Sequence, residues 1–186
     1  MTDTIKYSIG ALALIVVVFL YNQKNQNSHQ ISGQVIFSGQ RDDVHRIVIS
    51  ESDKSVELIK IDSTWSLSNF DSMIVKENQV DKVFNKLLKV KEEMLITSKE
   101  EKWEKFGVDD SLGRHLKVYN KDDKEILHYI FGNSGQDYQH NFARMNKSSN
   151  VYRTNDNVYF LLNSSVTYWA SEPAKEDEKE EIQIKE

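Results

Sequence analysis

The residues that could do chemistry are few and scattered along the chain. His115, His128 and His140 fall in or beside one group of apolar-alternating segments, and imidazoles on neighbouring strands are common transition-metal ligands. None of the three has a carboxylate at ligand-pair spacing, so they read as surface positions on strands and loops. The doublets Asp42-Asp43, Asp109-Asp110 and Asp122-Asp123 are the residue types that paired acid–base work or calcium would need. Each sits in turn-forming surroundings, where an aspartate satisfies nearby backbone donors. Gly132-Asn-Ser-Gly135 offers amides to an anion, and a hairpin loop uses the same residues. Phosphate-loop, GxGxxG, HExxH, GxSxG and EF-hand patterns do not occur in the sequence. With 0 Cys there is no disulfide, zinc–thiolate site or cysteine nucleophile. The expectation is a non-enzymatic protein with no catalytic residue, no cofactor and no metal.

Any site must be positioned by the rest of the 186 residues, which leave room for one ordinary domain with appendages. A hydrophobic fraction of 39% is enough to build a core. The formal charge of -5 gives no electrostatic footprint for a phosphate backbone, so nucleic acid is not an expected partner. Much of that charge lies in the last segment, 172–186, which holds seven acidic and three basic residues and reads as a solvated, disordered tail.

The one long apolar run is Tyr7–Tyr21, YSIGALALIVVVFLY, preceded by Lys6 and followed by a polar stretch. Together with Ile5 and Lys6 it reaches the lower limit of about 17 residues for a spanning helix. No Ala-x-Ala cleavage site follows it, which favours an uncleaved anchor over a signal peptide. Its apolar and bracketing residues are Tyr7, Leu12, Leu14, Ile15, Val16, Val17, Val18, Phe19, Leu20 and Tyr21. The expected organisation is a cytoplasmic leader 1–6, a transmembrane anchor 7–21 in membrane lipid, a tether 22–40, a globular domain 41–171 and the tail. The domain is placed on the exported, periplasmic side of the inner membrane.

Within the domain, Val44–Ile49 and Val56–Ile61 alternate as a hairpin would, and Trp65–Leu67 follows as a third strand. Val80, Val83, Phe84, Leu87 and Leu88 recur at helical spacing, which predicts a helix over Gln79–Glu93 capped by Asn78. Lys99–Phe106 reads as a short helix turning Trp103 and Phe106 inward and stopped by Gly107. Three more alternating runs, Leu116–Tyr119, Ile126–Phe131 and Phe142–Met145, predict a meander, extended by Val151–Arg153. The fold class is α+β: an N-terminal single transmembrane helix, then a largely antiparallel β domain with one long and one short helix between two strand groups.

In that order, Trp65-Ser-Leu67, Phe106-Gly107-Val108-Asp109, Phe131-Gly132, Phe142-Ala-Arg144 and Val151-Tyr152-Arg153 resemble the family of domains of unknown function 4340. The resemblance covers residues 44–169 and supplies no catalytic residues. It implies a bacterial, membrane-anchored exported protein associated with ABC-type transport systems of the gliding-motility kind. The expected role is therefore binding or scaffolding an envelope partner, such as transporter subunits. The alternative is an exported small-molecule or glycan-binding domain. Tyr138, Phe142, Tyr152, Tyr159 and Phe160 crowd the C-terminal half and are the expected partner or ligand face.

Overall fold

The computed structural model describes Tyr7, Leu12 and residues 14–20, 33–133 and 137–173. A two-residue strand, β1 (Gln34–Val35), and a 3-10 turn, Arg41–Asp43, lead into a meander of β2 (Arg46–Glu51), β3 (Lys54–Ile61) and β4 (Thr64–Leu67). Its register pairs Ile47 with Leu58 and Leu58 with Leu67, stacking aliphatic side chains on one face. β5 (Ile74–Val75), helix α1 (Glu77–Asn85), a 3-10 turn at Leu87–Lys89 and β6 (Lys91–Thr97) follow. Two 3-10 turns, Glu100–Lys102 and Glu104–Phe106, then end at Gly107 in the left-handed region. The second meander is β7 (Arg114–Tyr119), β8 (Glu125–Gly132), β9 (Phe142–Met145) and β10 (Val151–Thr154). A 3-10 turn at Tyr159–Leu161 and helix α2 (Val166–Trp169) precede β11 (Ala170–Ser171), which pairs with β5.

The two strand groups join in one antiparallel sheet of order β1-β6-β10-β9-β8-β7-β2-β3-β4. Alternation gives it an apolar face carrying Ile47, Ile49, Leu58, Leu116, Val118 and Phe131, all buried. Val80, Val83 and Phe84 of α1, Leu87, Leu88 and the fully buried Trp169 cover that face. Each large side chain removed from water this way contributes roughly 1.5–3 kcal/mol, so this layer is the main source of stability. A smaller cluster on the other face joins Val108, Ile130 and Val151 under Trp103, Phe106 and Phe142.

The fold class stands as a mostly antiparallel α+β domain, and several finer expectations need correction. The helix expected over Gln79–Glu93 begins two residues earlier and ends at Asn85, and Asn78 lies inside its first turn. Adjacent Leu87 and Leu88 both enter the core, which a continuing helix of one apolar face does not allow, and the chain tightens into a 3-10 turn. Lys91–Glu93 are good helix formers held as strand by pairing with β1 and β10. The short helix expected over Lys99–Phe106 is two 3-10 turns, with Trp103 and Phe106 turned inward. Residues 33–40, inside the expected tether, pack on the domain: β1 pairs with β6, and Ile36 and Phe37 are buried.

At the N-terminus, Tyr7, Leu12 and residues 14–20 are helical, and every one of these side chains is exposed. Among the described residues, no helix is long and apolar enough to cross a membrane. The whole leader 1–6, Tyr21, residues 22–32 of the tether and residues 174–186 of the acidic tail lie outside the described residues.

Gly132 explains how the 99–113 segment closes on the sheet. A Cβ there would stand 1.9 Å from the carbonyl oxygen of Phe106 and 3.0 Å from its carbonyl carbon, and neither backbone atom can move without lifting the segment. Gly132→Ala is therefore expected to destabilise the domain by about 2–4 kcal/mol. Urea unfolding of wild type and variant measures it, and a change below about 0.5 kcal/mol contradicts this reading of the contact.

Candidate functional site

On the polar face, Arg144 of β9 is the element around which other groups assemble. It is fully buried, and its guanidinium lies 3.7 Å over the ring centroid of Trp103. Nε donates to Val108 O at 2.6 Å, Nη1 donates to Asn146 O at 3.0 Å, and Nη2 pairs with the Asp110 carboxylate. Asp109 Oδ1 meanwhile accepts from the backbone of Ser111 and Leu112, fixing the turn that presents Asp110. These hydrogen bonds hold the Asp109 carboxyl below its ordinary range, although partial burial opposes them. Trp103 Nε1 donates to Ser149 O at 3.2 Å, so the ring beneath the arginine is itself fixed.

His115 and His128 meet beside this group across β7 and β8, whereas His140 lies elsewhere. His115 Nε2 donates to Asp110 O at 3.0 Å, because a carbonyl only accepts. His115 Nδ1 and His128 Nε2 share a hydrogen bond at 3.1 Å. Burial, and then nearby basic groups including Lys117 and Arg144, push His128 down to about 4. His128 is thus neutral at physiological pH, and among the described residues no group of three His, Asp or Glu is placed to hold a metal ion.

The third histidine organises the loop before β9. His140 Nδ1 donates to Asp137 Oδ2 at 2.7 Å, which lowers the Asp137 carboxyl, and its Nε2 lies 3.7 Å from Glu93 Oε2. Glu93 in turn accepts from Arg153 Nε and Nη2 at 3.0 and 2.6 Å. Buried Asn141 accepts from Val158 N and Tyr159 N at 2.6 and 3.0 Å, and Asn157 Nδ2 donates to Tyr138 O at 2.9 Å. Loops 137–141 and 155–162 are therefore stitched into one platform.

The five aromatics expected to share a partner face do not form one. Tyr138 and Phe160 stand exposed on this platform, at 79% and 56%. Phe142 turns against Phe106, with ring centroids 4.8 Å apart. Tyr159 lies under the Arg114 guanidinium at 4.1 Å, and half-buried Tyr152 accepts at its hydroxyl from Asn150 Nδ2. Tyr138 has φ 54°, a left-handed conformation that is costly for a bulky side chain. Composition identified the aromatics; which of them the sheet register sends inward was not visible until the strands were paired.

Elsewhere, a cleft of about 500 Å³ lies between the N-terminal segment and the β7–β8 turn, lined by Phe37, Asp42, Asp43, His45, Lys121 and Ile126. A second of about 590 Å³ runs beside β4.

A single antiparallel sheet, one face closed by helices and the other by a short segment locked through a buried arginine, defines the class of this α+β domain. The chain belongs to the family described as Domain of unknown function (DUF4340), whose model matches residues 65–183. No curated protein and no solved structure matches it.

Because His128 stays neutral in the fold while its unfolded counterpart takes up a proton near pH 6.5, the unfolded chain binds more protons between about 6.5 and 4. Stability is expected to fall as pH drops through that window, on the order of 1 kcal/mol per pH unit from this group. Urea midpoints at pH 7.5 and 5.0 for wild type and His128→Asn test it. An equal acid sensitivity in both would assign the effect to other groups.

Proposed function

We propose that this is a non-enzymatic, single-pass membrane-anchored protein of the cell envelope whose exported α+β domain binds an envelope partner through the Tyr138–Phe160 platform. An ABC-type transport system is the first candidate partner, as the family resemblance implies. The observation that carries the partner-binding role is Tyr138: a large aromatic, 79% exposed, at positive φ, whose carbonyl accepts from Asn157 of the neighbouring loop. Strain of this kind persists only where the surroundings over-determine it, and it concentrates at binding and active sites. The anchor reading is supported by residues 14–20, seven consecutive apolar side chains exposed all round their helix, which a bilayer would cover. A small-molecule site is the second reading, favoured by the cleft of about 500 Å³ beside Phe37 and Ile126.

Deleting 7–21 is expected to move the protein from the membrane to the soluble fraction. In mild-detergent co-purification, Tyr138→Ala with Phe160→Ala is expected to lower recovery of the partner by about tenfold or more. Tyr138→Gly should do the same to binding while raising stability by about 1 kcal/mol, since glycine accepts this φ without strain. Membrane association that survives the deletion would refute the anchor, and unchanged recovery with both platform variants would refute the binding face.

A further inference from the structure

The free end of the sheet carries a second surface, independent of the platform. β4 is its terminal strand among the described residues. Ser68 N donates to Glu57 O at 2.9 Å, in the register that pairs Ile59 with Ser66 and Ile61 with Thr64. In an antiparallel ladder the residues that exchange hydrogen bonds alternate. Thr64 and Ser66 therefore turn their backbone groups to β3, and Trp65 and Leu67 turn theirs to the open side. On that side lies the groove of about 590 Å³, bounded by Thr64, Trp65 and Ser66 of β4 and by Ile74 and Val75 of β5. Ile61, Phe70 and Ile74, on the elements that flank it, are 58%, 43% and 59% exposed. The β4 sequence Thr-Trp-Ser-Leu has no charge and no proline, so two of the usual protections of an edge strand are missing.

We propose that this groove accepts an extended strand from a partner protein, alternating aliphatic residues with Lys or Arg, by addition to the free edge of β4. Only another strand satisfies alternate backbone donors and acceptors while placing every second side chain on an apolar floor. Charge selects which strand. The rim carries Asp42, Glu77 and Asp81, with Asp42 and Asp81 side chains 90% and 50% exposed. The two cations beside them are already paired, Lys60 with Asp42 and Arg41 with Asp81, and Lys60 is only 17% exposed. The rim counts three carboxylates against two cations, a net charge of -1 with Glu77 outside the two pairs, which favours a cationic strand over a net-acidic segment or a second copy carrying the same rim.

The test uses the full chain with fluorescein-labelled peptides that alternate valine with lysine, valine with glutamate, or valine with lysine on an N-methylated backbone. The lysine peptide is expected to bind saturably, with the glutamate and N-methylated forms weaker by about tenfold or more. Amide exchange at Trp65 and Leu67 should slow in its presence. Asp42→Asn with Glu77→Gln, both at exposed positions, should narrow the lysine-over-glutamate preference by about threefold. Absence of saturable binding, indifference to N-methylation, or protection appearing away from β4 would overturn the proposal. So would protection of Trp65 and Leu67 in the free protein, by its own tail or in a dimer.

Discussion

A buried positive charge has to be neutralised where it stands, and Arg144 imposes that demand on the whole polar face. Taking a guanidinium out of water costs several kcal/mol unless its donors are met, so the fold is committed to supplying Val108 O, Asn146 O and the Asp110 carboxylate together. Two of those groups belong to the segment between β6 and β7, which has no regular structure beyond its 3-10 turns to hold it in place. The arginine thus acts as a locator: the segment reaches its hydrogen bonds only when Trp103 is beneath the guanidinium and Phe106 crosses Gly132. The neutral His128 follows from its burial and from the same charge, since a protonated imidazole there would face both Arg144 and Lys117.

This clarifies why short motifs far apart in the chain keep their order. Phe106-Gly107-Val108-Asp109, Phe131-Gly132 and Phe142-Ala-Arg144 converge on one junction, where each supplies a different part: a carbonyl, a space without a side chain, a guanidinium. They hold the architecture together. The exposed surfaces lie apart from that junction, on the loops around β9 and β10 and along β4.

Strands were legible where apolar residues recur in partial alternation, as in β2, β3, β4 and the β7–β9 meander. The end of α1 was not, because Lys91–Glu93 favour helix locally and only the distant partners β1 and β10 make them a strand. Arg144 looked like an ordinary polar position in an alternating run, since burial of a charge is decided by what lands on it. The β4 edge was equally hidden: Trp65–Leu67 reads as a strand whether or not a neighbour completes it. For the aromatics, Tyr138 and Phe160 were recognisable by type, whereas Phe142 and Tyr159 were claimed by Phe106 and Arg114.

The sheet order also fixes when the domain can exist at all. Among the described residues, β1, near residue 34, has no strand partner except β6, and β6 is completed on its other side by β10, which ends at Thr154. The chain must close loops of more than fifty residues to make those contacts, so ordering entropy is spent before the long-range pairing returns it. A chain emerging from its N-terminus can assemble the β2–β4 meander early. It carries β1 unpaired until β6 emerges, and the other edge of β6 stays open until β10, near the end of the domain, is synthesised. The unfinished intermediate presents open strand edges, which gives chaperones a long window in which to hold it extended.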